Sequence, residues 1–337
     1  MGHRVVYVPH DGDLPEPYTS ALLLSGITVL AGKAHVADWF QMHGRSVAWV
    51  VCARPAVAPA YLRLVRRTTN AKLLYFTHDL HFQREMRRFE LDGRPATRRQ
   101  AEALRRTETR IIRAVDAVIT PSEDEARVIR KIAPRKAVHV VPLLFYSPEQ
   151  IIDADAQDPP LRRRRSVIFV GGYRHQPNVD AARFLVQEVM PHIWQEVPDA
   201  RALLVGSDPP AEVLGLSSDR VQVTGYVDDL RPWYTKARMS ISPIRFGAGV
   251  KGKLLESLAM GVPVVTTTIG NEGLGLVAGK EAMIADDAGS IAAAAIALFG
   301  DDGLTASLAT AGQAVVRDRY SQEAVSRALS DALGPPG

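Results

Sequence analysis

Short apolar runs alternate with helix-patterned stretches along the whole chain, and this rhythm restricts the fold more than any other feature. The apolar runs are continuous, as suits strands buried on both faces of a parallel sheet. In the first half, strands are expected at Arg4–Val8, Ile27–Leu30, Ser46–Cys52, Lys72–Thr77, Ala117–Thr120 and His139–Pro142. Helices such as Ala34–Met42 and Pro59–Arg67 lie between them, and two more cover an arginine-rich region broken at Asp92–Pro95. Ser122 followed by Glu125 reads as a capping box that opens another helix. In the second half, strands are expected at Ser166–Val170, Ala202–Val205, Val221–Thr224, Met239–Ser242, Val262–Thr267 and Ala282–Ala285. Its helices fit Val179–Met190, Leu230–Thr235, Lys253–Met260 and Ser290–Leu298.

The chain has 337 residues, too many for one domain of usual size and suited to two of roughly 150 each. The expected fold class is therefore α/β, with two Rossmann-like domains. A polar stretch, Ser147–Arg165, marks the boundary. Residues 1–150 would form the N-terminal domain and 151–320 the C-terminal one, with 321–337 a last helix, near Gln322–Leu333, packing back on the first domain. In open α/β sheets, ligands bind beyond the C-terminal ends of the strands, so functional residues should follow those ends.

Composition narrows the partners. Apolar residues make up 46% and charged residues 23%, which is globular and not disordered. The single Cys52 excludes a disulfide framework and a multi-cysteine metal site. The net charge is +4, yet ten arginines stand against five acids between Arg84 and Arg113, and Arg162–Arg165 is a basic run. Two readings of these patches stay open: a surface for anionic partners, or a solvated helix face. Aromatics are sparse there and no RNP-like or zinc-finger pattern occurs, so nucleic acid is not an expected partner. No uninterrupted apolar stretch approaches about 18 residues, and the N-terminus carries no secretion signal. A cytoplasmic protein is expected, with peripheral contact at the inner membrane face left open.

The most informative stretch runs from Ser242 to Thr267, as strand, glycine-rich loop, helix, tight turn and strand. Gly247, Gly249 and Gly252 let backbone approach a ligand closely. The N–H groups at the start of the following helix favour a phosphate there. Lys251 and Lys253 add point charges, and Arg245 offers a fork of donors. Glu256, about one turn into the helix, suits the vicinal hydroxyls of a ribose better than a phosphate. One segment thus offers both halves of a nucleoside diphosphate site. It lacks the Gly-x4-Gly-Lys-Ser/Thr pattern and is not a P-loop.

This segment resembles the donor site of glycosyltransferase group 1, family 4. That family carries a Glu-x7-Glu pattern followed by Ala-x-Gly-x-Pro-Val-Val, and Glu256 with Ala259–Val265 matches its second part. Thr224–Leu230, Asn271 with Glu272, Gly273 and Leu274, Phe169–Gly172 and His175–Asp180 also fit, so the resemblance covers residues 166–320. It implies a GT-B arrangement, two Rossmann-like domains facing a cleft, and sugar transfer from a nucleoside diphosphate sugar to an acceptor hydroxyl with retention. Glu256 inherits the ribose contact and a catalytic role. The first glutamate of the pattern falls on Ala248, which cannot contact the sugar. In the first loop of the domain, Gly171, Gly172 and Arg174, Gly172 stands where the family often has arginine. Lys253, Arg174 or Lys251 would then hold the diphosphate, Lys253 foremost and as a catalytic residue. The base would lie near Gly225–Val227, where two readings of Tyr226 stay open: a stacking platform, or a half-buried surface aromatic. Asp228 caps the helix that follows, and the resemblance implies no metal and no cofactor beyond the nucleotide-sugar substrate.

In the first half, Thr77-His-Asp-Leu-His follows a strand and resembles a stretch of one branch of the family. Asp79 and His81 would contact acceptor or donor sugar, with Arg84 and Glu85 matching as well. The other reading has Asp79 capping a helix beside exposed histidines. Arg54 is a weaker candidate. The first β–α unit of the family's N-terminal domain, roughly 25–30 residues, is not recognisable. The acceptor, saccharide or lipid-linked, is not legible. Two alternatives to a transferase stay open: a catalytically inactive nucleotide-binding homologue, and a nucleotide-sugar epimerase of the same fold. An NAD-dependent oxidoreductase is excluded, since no Gly-x-Gly-x-x-Gly opens a strand–helix unit.

Overall fold

The computed structural model describes residues 2–12, 14–152 and 159–334. The chain divides into two compact units. One gathers the chain up to Phe82, Glu102–Val141 and the end of the chain from Ser326; the other gathers Gln83–Ala101 and Pro142–Val325. The division thus falls after Val141, ahead of the expected boundary, of which residues 153–158 lie outside the described residues. Backbone pairing explains the shift. Tyr146 N–H donates to the Tyr320 carbonyl at 2.8 Å and Ile152 N–H to the Ala259 carbonyl at 2.9 Å, which ties this segment to the second unit. The helix Gln322–Leu333 enters the first unit, where Trp49 Nε1 donates to the Leu333 carbonyl at 2.8 Å.

In the first unit, β1 (Val6–Tyr7) and β2 (Thr28–Val29) form a separate parallel pair. β3 (Trp49–Ala53), β4 (Lys72–Phe76), β5 (Ala117–Thr120) and β6 (Ala137–Val140) make a four-stranded parallel sheet in that order. Every residue of β5 is buried, as are Leu73, Leu74 and Tyr75 of β4. These two strands are covered on both faces, which is why their apolar runs are unbroken. Cys52 lies in this core as a free thiol, and burial pushes its pKa up to about 11.

The second unit holds six parallel strands: β7 (Ser166–Val170), β8 (Arg201–Val205), β9 (Val221–Val223), β10 (Ala237–Ser242), β11 (Val264–Thr266) and β12 (Met283–Ile284). Their order across the sheet is β12-β11-β10-β7-β8-β9. The chain runs outward from β7 through β8 to β9, returns to β10 beside β7, and runs outward again through β11 to β12. The direction of travel therefore reverses between β7 and β10. Such a reversal opens a crevice at the C-terminal ends of the two strands.

The helix expected at Val179–Met190 starts earlier and continues further. It opens at Gln176 with Pro177 in its first turn, where a missing N–H is harmless. It widens into a π turn at Leu185–Val189 and resumes as Met190–Glu196. Pro191 lacks the N–H an interior position needs, and the widened turn accommodates it. The capping box at Ser122 is only half formed. Ser122 Oγ accepts the Glu125 N–H at 3.3 Å, while the Glu125 carboxylate is spent elsewhere in the core. Among the described residues, no single helix is long and apolar enough to cross a membrane.

Candidate functional site

β7 ends in Gly171 and Gly172, and close backbone contact demands small residues there. A Cβ on Gly171 would lie 2.8 Å from Asn178 Cγ and 3.0 Å from Lys253 Nζ. A Cβ on the neighbouring Gly206 would lie 2.1 Å from the Gly171 carbonyl oxygen. Asn178, buried in the first turn of the Gln176–Phe184 helix, donates through Nδ2 to the Gly172 carbonyl at 2.7 Å. Its Oδ1 accepts from Lys253 Nζ. Lys253 comes from the other side of the reversal, in the first turn of the Gly252–Ala259 helix that follows β10. Its ammonium sits over the Phe169 ring, 4.5 Å from the centroid. Burial, and then the charge of Lys251, bring the Lys253 pKa down to about 7.

Glu256 lies three residues further along the helix and so on the same face. It is half-buried, and burial raises its pKa above the usual carboxylate range. No described residue donates a hydrogen bond to its carboxylate. A lysine and an unsatisfied carboxylate thus stand one turn apart at the head of a helix, at the point where the sheet reverses. This is an arrangement for a ligand with an anionic part and a hydroxyl-bearing part.

The remaining candidates of this unit divide by what they already hold. Gly247 and Gly249 carry φ angles of +144° and +75°, which only glycine adopts without strain. Lys251, 8% exposed, donates to the Gly249 carbonyl at 2.7 Å, and its ammonium is 3.7 Å from Glu272 Oε2. Glu272 also receives a two-pronged contact from Arg87, at 2.5 and 2.6 Å. Gly273, next to it, has φ +81°. Arg245, read from the sequence as a fork for phosphate, turns that fork on Asp180 at 2.9 and 2.5 Å and covers the Phe184 ring. Arg174 pairs with Asp208 at 3.0 Å, and its side chain is 85% exposed. Tyr226 is 74% exposed, beside Gly225 at φ +73°, so the half-buried reading of this ring does not hold. Asp228 does not cap the next helix, Arg231–Tyr234: the cap position is Leu230, which offers no side-chain cap, and Asp229 Oδ1 accepts the Arg231 N–H at 3.0 Å.

In the first unit, Asp79 and His81 form a pair, with Oδ1 2.9 Å from Nε2. The N–H groups of His81 and Phe82 are taken by the buried Glu108, at 3.2 and 2.9 Å. Glu125 accepts from Thr120 Oγ1 at 2.6 Å, Thr77 Oγ1 at 3.2 Å and the Leu80 N–H at 3.3 Å. Burial pushes the Glu125 pKa up to about 7 and raises that of Glu108 as well. Two buried carboxylates therefore pin the Thr77–Phe82 turn from behind. His78 stacks on Phe76 at 4.5 Å with φ +57°, and burial lowers its pKa.

Asn178, Glu108 and Arg87 were not singled out in the sequence. Asn178 carried a local signal, two residues after the strand–helix loop and just past Pro177. Glu108 and Arg87 had none, because each is one of many charged residues on arginine-rich helices.

Known proteins share part of this sequence and its fold. Residues 164–301, somewhat less than half of the chain, match the family model of the group 1 glycosyl transferases. An uncharacterised 44.6 kDa protein in the cps region of Klebsiella pneumoniae is 27% identical over 135 residues, 36% of this chain. The match spans 34% of that protein, about a third of its length. A Rickettsia africae glycosyltransferase superposes with a TM-score of 0.72 at 15% identity, over 98% of this chain and 90% of its own. Anabaena HepE, solved with UDP and glucose, superposes with a TM-score of 0.68 at 15% identity, over 98% of this chain and 99% of its own. The fold is thus that of the GT-B glycosyltransferases, with two Rossmann-like domains.

Proposed function

We propose that this chain transfers a sugar from a nucleoside diphosphate to an acceptor hydroxyl, with retention at the anomeric carbon. The observation that carries the reading is the pairing of Lys253 and Glu256 one turn apart, with Lys253 held against Asn178 and the Gly171–Gly172 turn. The family match over residues 164–301 and the UDP complexes of HepE support the same donor class.

In this reading the diphosphate lies at the N-terminus of the Gly252–Ala259 helix. Charge grows on it as the glycosidic bond breaks, and fixed N–H groups and Lys253 stabilise that charge. An anion beside Lys253 favours its charged form and reverses the effect of burial. Glu256 accepts hydrogen bonds from the ribose. Gly171, Gly172, Gly247 and Gly249 admit the ligand backbone-close, with Arg174, Lys251, Gly273 and Tyr226 around it. Asp79 and His81 serve the acceptor or the sugar. The reading includes no metal and no further cofactor, a saccharide or lipid-linked acceptor, and action on the cytoplasmic side with peripheral membrane contact.

The test is incubation with UDP-, GDP- and ADP-sugars without acceptor. A transferase slowly releases nucleoside diphosphate from one of them, and Lys253→Ala abolishes the release. Isomerised donor would show an epimerase instead. A donor that binds and survives unchanged would show an inactive homologue.

A further inference from the structure

Lys253 and Glu256 account for the diphosphate and the ribose and leave the transferred sugar to another residue. We propose that Glu272 grips this sugar by accepting hydrogen bonds from its hydroxyls, and that Arg87 is the residue that positions Glu272. The inference rests on the donor-site reading and deepens it.

Glu272 follows the short Thr268–Asn271 helix at the C-terminal end of β11, the strand beside β10. It therefore lies on the same edge of the sheet as the glycine loop. Arg87 Nη1 donates both to the Gly247 carbonyl, at 2.6 Å, and to Glu272 Oε2, at 2.5 Å. Its Nη2 donates to Glu272 Oε1 at 2.6 Å. One guanidinium nitrogen thus bridges the loop carbonyl and the carboxylate, so Glu272 stands directly beside the loop. Lys251 reinforces the arrangement, holding the Gly249 carbonyl while lying 3.7 Å from Glu272 Oε2.

Glu272 accepts from Arg87 and faces Lys251, so it meets a ligand as a hydrogen-bond acceptor. Arg87 uses one lone pair on each oxygen, and each oxygen has about two. One lone pair on each oxygen is left over, so either oxygen can still accept from a sugar hydroxyl. The Glu272 side chain is 22% exposed, open enough for a ligand and shielded enough for its hydrogen bonds to count. A plain surface ion pair would need no loop carbonyl; here the fork fixes the carboxylate relative to the glycines.

The experiment compares bare nucleotides with their sugar conjugates by calorimetry: UDP with UDP-glucose, GDP with GDP-mannose, ADP with ADP-glucose. Glu272→Gln keeps the shape of the side chain, and bare-nucleotide binding reports that the site is still folded. The expected result is bare-nucleotide affinity within twofold of the parent protein, with the conjugate weakened about tenfold or more. Arg87→Ala should show the same split, and Arg87→Lys, which keeps the charge without the fork, should restore only part of it. Equal weakening of both ligands in Glu272→Gln, or no weakening of either, overturns the inference and leaves the donor site standing. Failure of every nucleotide to bind the parent protein overturns the donor-site reading and this inference with it.

Discussion

The Lys253 ammonium lies 4.5 Å from the centre of the Phe169 ring, a cation brought from the helix after β10 onto the strand at the middle of the sheet. A ring face and one amide oxygen are modest company for a charge. The Lys253 pKa falls accordingly, to about 7. A bound diphosphate would raise it again. Affinity for a nucleotide-sugar should therefore be greatest below pH 7 and fall as pH rises above it, by up to about tenfold per unit until the pKa of the complex is reached. Sugar conjugates are the right probe, because their phosphates do not titrate in this range. Titrations from pH 6 to pH 9 would show the slope, and Lys253→Met should flatten it.

The same residue opposes stability. The folded pKa of about 7 lies below the ordinary 10.5, so the folded state holds fewer protons than the unfolded state between these values. The burden of the buried charge is thus full below pH 7 and is relieved as pH rises toward 10.5. Lys253→Met should remove it. We expect a gain on the order of 1–2 kcal/mol at pH 7, seen as a melting temperature higher by about 2–6 °C. Nucleotide binding should be weakened in the same variant, by roughly 10- to 150-fold. A lower melting temperature would show that the lysine is a structural support.

Glu256 makes a narrower prediction. If its carboxylate accepts from the ribose hydroxyls, the protein should prefer a ribonucleoside diphosphate over its 2′-deoxy analogue. Loss of a charged hydrogen bond corresponds to about 1.5–3 kcal/mol, so the preference should be roughly tenfold or more. Glu256→Ala should erase the discrimination by weakening the ribonucleotide more than the deoxy analogue, which has only its 3′-hydroxyl to lose. Parallel titrations with UDP and dUDP, or the corresponding guanine or adenine pair, measure this.

Glu125 predicts a stability profile for the first unit. Its folded pKa of about 7 lies above the ordinary 4.5, so the stability it contributes is fully present below pH 4.5 and is lost as pH rises through 7. Urea unfolding followed by the fluorescence of Trp39 and Trp49 should show falling stability across this window. Glu125→Gln should remove that part of the slope while keeping the hydroxyl contacts of Thr77 and Thr120.

The fold was readable because the two larger sheets are parallel and their central strands are covered. Runs such as Ser166–Val170 and Ala117–Thr120 are apolar without alternation, and each coincides with a strand. The glycine loop and Glu256 were readable because glycine spacing and a lone carboxylate on a helix are local signals. What the sequence concealed was partnership. Arg245 looked free for phosphate but is held by Asp180, 65 residues away in the chain. Arg87 meets Glu272 across 185 residues, and no local pattern encodes that separation. Glu125 has the spacing of a capping residue, yet tertiary contacts claimed its carboxylate.

The central claim is a nucleoside diphosphate site built on Lys253 and Glu256. Calorimetric titration of the parent protein, Lys253→Ala and Glu256→Ala with UDP, GDP and ADP tests it most directly. The account predicts that one nucleotide binds the parent protein and that each variant weakens it by roughly 10- to 150-fold. A folded parent protein that binds none of the three, or variants that bind as well as the parent, would contradict it.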